Sequence, residues 1–362
     1  DLSTSTGTQI TTSTSQQVSS AIHGNKIVWQ DNRNGNWDIY MYDLSTHKET
    51  QITTNQSDQL NPAIYGDKIV WTDWRNEIPM LYSNLDIYMY DLSTSKEIQI
   101  TTNKSDQNSP AIYEDRIVWY DSRNGDYDIY MFNLSTSTET QITTNTLSQS
   151  DPDIYGDRIV WTDARNGNYD IYMYNLSTYN ETQITTNQSY QSTPAIYKDS
   201  IVWTQIGYAN EQDNIYMYNL SKCEEIQLTS NSSTSPAIYG DKVIWKGERN
   251  GNEVIYMGII GSNLSIASFS ALPSSGDAPL KVEYTDKSIV LPTSWKWDFG
   301  DGTSSTEQNP VHTYSKAGEY TVKLVASDGR NTASNTLEIV VYEVKVLPVA
   351  NFSSNVTKGY AP

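Results

Sequence analysis

Cysteine, histidine and phenylalanine are nearly missing from this 362-residue chain, at one, three and four residues. The single thiol, Cys223, has no second cysteine for an intrachain disulfide and no companions for a cysteine-based zinc site. The histidines His23, His47 and His312 lie far apart and form no cluster for transition-metal chemistry. No Ser-His-Asp grouping can be argued from them. Positive charge is also scarce: 24 Lys and Arg stand against 43 Asp and Glu, a formal charge of −19. Such a chain repels nucleic acid and anionic lipid. No apolar run reaches membrane-spanning length, and the first residues carry no signal-peptide pattern. A sustained 3.6-residue apolar period is absent as well, which excludes amphipathic helices as the main element.

What is abundant points the other way. Tyr (27) and Trp (10) are plentiful, and Ile, Thr, Ser and Asn crowd the sequence. β-Branched and aromatic residues favour strands, so the chain reads as all-β. One pattern recurs: Ala-Ile-Tyr-Gly-Asp-Lys-Ile-Val-Trp, then Thr-Asp-x-Arg-Asn-Gly-Asn, then Asp-Ile-Tyr-Met-Tyr-Asn-Leu-Ser-Thr, then Glu-Thr-Gln-Ile-Thr-Thr-Asn. Trp29, Trp71, Trp119, Trp161, Trp203 and Trp245 mark its period, at spacings of 42, 48, 42, 42 and 42. Four strand-like runs per period near 42 residues are the signature of a β-propeller, here with six blades. In the fourth repeat strand A is expected near Asp153–Tyr155, B at Arg158–Asp163, C at Asp170–Leu176 and D at Glu181–Thr186. Asn-Gly at 34–35, 124–125, 166–167 and 250–251 predicts a tight type I′ B–C turn. Blades 2 and 5 lack it, and blade 2 carries a six-residue insertion within Trp74–Leu85. The sixth repeat stops after strand C, while residues 1–12 match the D segment at Asp91–Thr102. The N-terminal segment is therefore expected to supply the last blade's outer strand and close the ring without a disulfide.

These motifs resemble the TolB-type family of six-bladed propellers over residues 1–260. The resemblance implies the fold; such propellers serve as scaffolds, binding proteins and enzyme domains alike. After a link at 261–265 the pattern changes. Ser294-Trp295-Lys296-Trp297-Asp298-Phe299-Gly300-Asp301-Gly302, Asn309-Pro310-Val311-His312-Thr313-Tyr314 and Gly318-Glu319-Tyr320-Thr321-Val322 resemble the PKD domain, an Ig-like β-sandwich, over 266–343. Residues 344–362 hold a linker and what resembles the start of a second PKD domain, so further PKD domains of a longer polypeptide are expected. A propeller followed by tandem PKD domains resembles methanogen surface-layer-type proteins.

Candidate sites follow from the repeat. Asp31 is expected opposite Asp38, Asp121 opposite Asp128 and Asp163 opposite Asp170, with Asp73 and Asp86 equivalent. In blade 5 both become amides (Gln205, Asn214), and in blade 6 both are lost (Gly247, Val254). Joint change within one chain implies cross-strand contact, and facing carboxylates repel. Arg33, Arg75, Arg123 and Arg165 are placed to neutralise them, although Arg249 persists where both Asp residues are gone. The alternative is Ca²⁺ on the clustered oxygens; Asp298 and Asp301 invite the same pair of readings, turn or Ca²⁺. No other cofactor is expected. A ligand is expected where blades break symmetry, at Trp74, Met80 and Tyr82 of blade 2 and Tyr208 and Glu211 of blade 5, unless the blade 2 insertion plugs the channel. Sequons at Asn55, Asn103, Asn133, Asn175, Asn180, Asn187, Asn219, Asn231, Asn263, Asn351 and Asn355 permit glycosylation. Together these features predict a non-enzymatic extracellular protein of the cell surface, serving envelope architecture, adhesion, or protein or glycan binding. The alternative is a secreted polysaccharide-active enzyme or its accessory domain.

Overall fold

A computed structural model of the chain describes residues 9–77, 84–207, 211–230, 232–249, 252–260, 267–288, 294–327 and 332–343. Every described regular element is a strand. The chain divides into two compact units, Asp1–Ile259 and Ile260–Pro362.

The first unit is a succession of antiparallel sheets in simple up-and-down order. Blade 4 shows the plan: A is Gln149–Tyr155, B is Arg158–Asp163, C is Asp170–Asn175 and D is Asn180–Gln183. Strand B matches the sequence expectation. Strand A begins four residues earlier than expected, because a bulge separates the Ser150 and Asp153 pairings with strand B. The bulge recurs in all six blades, with Ser19, Asn61, Ser109, Asp151, Thr193 and Ser235 at φ of 50–53°. None is glycine, so each stores backbone strain of about 1–2 kcal/mol, which the surrounding contacts must offset.

Blade packing explains why strands B and C are apolar on both faces. Val28, Ile39, Met41 and Ile52 of blade 1 meet Ile64, Ile69, Trp71 and Tyr88 of blade 2 in one buried cluster. The same positions form the next three interfaces. Trp71, Trp119, Trp161 and Trp203 have no accessible surface. Burying one large apolar side chain contributes roughly 1.5–3 kcal/mol, so each interface is a substantial core. A second tie runs along the A–B turns, where His23, Tyr65, Tyr113, Tyr155, Tyr197 and Tyr239 form a chain of rings 4.4–4.9 Å apart. His23 packs there as a member of the tyrosine series, and its Nδ1 accepts the Gly66 N–H at 3.0 Å.

The two ends of the series differ from its interior. The sixth sheet has three described strands, Ser233–Tyr239, Lys242–Arg249 and Asn252–Ile259. Its outward positions Ile244 and Ile255 are 43% and 65% exposed, whereas their blade 4 counterparts Val160 and Ile171 are fully buried. On blade 1, Ile22 is 61% exposed against 7% for Ile64. The expected closing strand falls mostly on residues 1–8, outside the described residues; residues 9–13 form no strand.

The second unit is a two-sheet β-sandwich. One sheet orders Phe269–Leu272, Leu280–Asp286 and Val311–Tyr314; the other contains Ser275–Asp277, Thr332–Tyr342, Gly318–Ser327, Ser294–Asp298 and Ser304–Ser305. Trp297, Tyr284, Tyr314, Val282, Leu324 and Ile339 fill the space between the sheets. The buried Tyr284 and Tyr314 hydroxyls satisfy each other at 2.9 Å.

Candidate functional site

The B–C hairpins carry the charge. Asp31 pairs across the strands with Asp38, Asp73 with Asp86, Asp121 with Asp128 and Asp163 with Asp170, the register expected from the sequence. The connecting turn is looser than expected. Six residues join Asp31 to Asp38, and of Asn34 and Gly35 only Gly35 has positive φ, at 98°. A type I′ turn needs positive φ at both residues. Here the Gly35 N–H instead bonds the Asn32 carbonyl at 3.1 Å, and Asn34 turns its amide inward to Asp38 (2.8 Å) and the Tyr40 hydroxyl (2.9 Å).

Blade 2 shows how two facing carboxylates coexist. Asp73, fully buried, receives Arg75 Nε at 2.8 Å and Nη2 at 2.7 Å in a bidentate pair, and the Trp71 indole N–H at 2.9 Å. Arg75 Nη1 reaches Glu97 at 2.6 Å, and its guanidinium lies 4.0 Å over the Tyr88 ring. Asp86 is held by neutral donors, Asn76 at 2.7 Å and Thr101 at 3.2 Å. The same Arg–Asp–Glu–Tyr–Trp unit recurs in blades 1, 3 and 4. Burial pushes the Asp31 carboxyl up, yet the bonds from Arg33, Ser15 and Trp29 prevail and hold it at about 2. Its partner Asp38 lacks a cation, and burial pushes it above the usual carboxylate range. Neutralisation by arginine is therefore built into the geometry; a Ca²⁺ ion would have to displace these donors. Among the described residues no group of three or more His, Cys, Asp and Glu side chains is placed to hold a metal.

Blades 5 and 6 break the unit. In blade 5 Gln205 faces Asn214, and Gly207 stands where the arginine would be. In blade 6 Gly247 faces Val254, and an open depression of ≈ 340 Å³ lies there, lined by Thr234, Lys246, Glu248 and Glu253 among others.

The ligand candidates divide. Met80, Tyr82 and Tyr208 lie outside the described residues. Glu211 is exposed, while Trp74 is half-buried with its indole nitrogen fully covered. Trp74 begins a regular turn, since the Glu77 N–H bonds its carbonyl at 3.0 Å as Gly125 N–H bonds Ser122. Trp74 thus precedes the insertion proper.

Two carboxylates that sequence reasoning missed break symmetry on strand A of blade 4. Asp153 replaces the alanine of the repeat and accepts N–H groups from Ile154 at 2.9 Å and from Ile196 of the next blade at 2.8 Å. Burial pushes it up to about 6. Asp151, at the bulge, is also raised by burial and accepts from Ser150 at 3.2 Å. The signal was an acid at each of two positions where no other blade carries one.

In the sandwich, Asp298 accepts the Gly300 N–H at 3.0 Å and Asp301 the Thr303 N–H at 3.0 Å, so both fix a turn. Asp301 also pairs with His312 Nε2 at 2.8 Å, and the imidazole stacks on Phe299 at 4.2 Å. Among the sequons, Asn55, Asn103, Asn133, Asn175 and Asn187 turn their carbonyl oxygens to backbone N–H groups two residues on, and Asn219 caps Ser221 and Lys222. Asn180 is exposed. Asn231, Asn263, Asn351 and Asn355 lie outside the described residues.

Residues 267–342 match the PKD domain family. Collagenase ColA of Bacillus cereus (strain ATCC 14579) is 54% identical over 41 residues, which cover 11% of this chain and 4% of that protein. Collagenase ColA of Clostridium perfringens is 44% identical over 63 residues, 17% of this chain and 6% of that protein. The chain thus spans about one twentieth of the curated relatives it matches. Among solved structures, the β-propeller domain of the Trilobed protease from Pyrococcus furiosus, which has an open velcro topology, aligns with a TM-score of 0.51 at 14% identity, covering 81% of this chain and 95% of that one. A TolB-type protein from Agrobacterium tumefaciens aligns at 0.50 and 13% identity, covering 69% and 92%. Acylaminoacyl peptidase of Pyrococcus horikoshii aligns at 0.51 and 12% identity, covering 86% and 57%. These likenesses agree on the fold: an all-β chain of propeller sheets, followed in sequence by an Ig-like PKD domain.

Proposed function

We propose that this chain is a non-enzymatic extracellular module that binds a cell-surface protein or glycan through the face carrying its B–C loops. The observation that carries the reading is the contrast between blades. In blades 1 to 4 one carboxylate of each B–C pair is consumed by an internal arginine and the other by an asparagine amide, so that face offers a repeating, self-satisfied surface. Binding specificity then falls to the blades that break the repeat, blade 2 by insertion and blade 5 by substitution within a longer B–C loop. The PKD match supports an extracellular setting. A surface-layer or adhesion role, with further PKD domains following, is the form of this function we favour.

A second reading is an accessory domain beside a hydrolase, which the collagenase matches favour. Asp151 and Asp153 are the asymmetric carboxylates such a reading would enlist, yet Asp153 is engaged by two backbone N–H groups.

Fractionation of the native host tests the reading: the account expects the protein in the envelope or the medium, and recovery from the cytoplasm overturns it. Trp74→Ala should weaken partner binding at an unchanged melting temperature. A melting temperature that falls while binding persists would make this residue packing alone.

A further inference from the structure

In four blades an arginine guanidinium occupies the same seat. Its floor is a tyrosine ring 4.0–4.2 Å below, and its walls are the B-strand aspartate and the D-strand glutamate. Blade 5 keeps the floor and one wall. Tyr216 stacks on Trp203 with centroids 6.1 Å apart, as Tyr172 stacks on Trp161 in blade 4. Glu225 holds the register position of Glu181, opposite the tyrosine two residues beyond the ring. The arginine itself is gone, replaced by Gly207, and the aspartate is Gln205.

A second observation marks the missing aspartate from inside. The indole N–H groups of Trp29, Trp71, Trp119 and Trp161 each donate to the aspartate of their unit. Trp203 is fully buried, and its Nε1 has no partner among the described residues. The Gln205 amide oxygen that would take that role instead accepts Asn187 Nδ2 at 2.9 Å. An unpaired buried donor is costly, and native structures retain few of them. Glu225 is exposed, and among the described residues no cation pairs with it or lies over the Tyr216 ring. The arginines of the other four seats keep 19–25% of their side chains accessible, so the seat opens to solvent and not to a sealed core.

We infer that blade 5 is a vacant guanidinium seat that takes an arginine side chain from a partner protein. The chain's own four arginines define what fits: a planar cation donating to Glu225 while lying flat on Tyr216, with the Gln205 amide in place of the second carboxylate. A guanidinium suits this better than an ammonium, because its planar fork both stacks and reaches a carboxylate. The inference rests on the reading of blade 5 as part of the binding face and names the chemistry of one contact there.

N-acetyl-arginine amide is the probe, titrated into the full chain while the Trp203 indole resonance is followed by NMR. A saturable shift is expected, together with little response to N-acetyl-citrulline amide, the uncharged isostere. Glu225→Gln should weaken the arginine response by about fivefold or more, since it removes the carboxylate that forms the remaining wall of the seat. Gln205→Asp restores the second wall and should tighten it by about twofold or more. Both positions tolerate these side-chain changes if melting temperatures stay put, and Gln205→Asp keeps the test open should Glu225→Gln unfold. An equal response to citrulline, no saturable shift, or an unchanged affinity in both variants would overturn the seat. A chain that binds a surface partner yet ignores the arginine probe refutes the seat and leaves the wider binding reading standing.

Discussion

At the scale of the residue, a buried carboxylate in this protein is defined by its donor. Asp121 has no accessible surface and bonds Arg123 and Trp119. Removing the cation alone strands the charge, so Arg123→Ala should cost about 3 kcal/mol by chemical denaturation. The double change Asp121→Gln with Arg123→Ala imitates blade 5 and should cost less than the single one; a cost equal to or above it would mean that the ion pair is not the source of the loss. Asp153 behaves oppositely. Its folded-state pKa is raised to about 6, so its neutral form is favoured by folding. Stability linked to it is full below its unfolded value and declines as pH rises through about 6. Asp153→Asn removes the titration but keeps only one of the two acceptors, so it should lower the melting temperature more at pH 4 than at pH 8. A loss of equal size at both pH values would remove the titration from the account. The carboxylate register was legible in the sequence because the pair changes together, to Gln205 with Asn214 and to Gly247 with Val254. The cross-blade bond of Asp153 to Ile196 was not, since nothing in one strand shows which neighbour its side chain reaches.

At the scale of the element, strands B and C were legible because their apolar runs are bounded by Gly-Asp or Asn-Gly signals in most repeats. Strand A was read too short. Its inner half carries polar residues and bends at a left-handed residue that is never glycine, so it resembles a loop in sequence. The type I′ turn was misread because Asn34 serves as a side-chain donor rather than as a left-handed corner. The outer strand of blade 6 is a matter for experiment. In five blades a threonine hydroxyl accepts the N–H of the first isoleucine of strand C, as Thr185 does from Ile171 at 2.9 Å. Thr11 is the residue at that repeat position for Ile255. Deleting residues 1–13 should lower the melting temperature by several degrees, because it would leave strand Asn252–Ile259 of blade 6 with an unpaired edge. An unchanged melting curve would show that these residues contribute nothing to the ring.

At the scale of the molecule, repetition secures the fold and obscures the function. Six near-identical units make the architecture readable from tryptophan spacing alone. The same near-identity means that a binding site appears only as a departure from the repeat. The vacancy in blade 5 could be seen only when the hydrogen bonds of the other blades supplied the reference. The measurement that bears most directly on the account is retention of the chain on an array of envelope glycans and proteins, compared with a variant whose two irregular loops are made regular. That variant lacks residues 78–83 and carries Ala164–Tyr169 in place of Ile206–Asp213. The account predicts retention by the natural chain without release of product, and its loss in the regularised variant at an equal or higher melting temperature. Undiminished retention by the regularised variant, or product release by the natural chain, would contradict it.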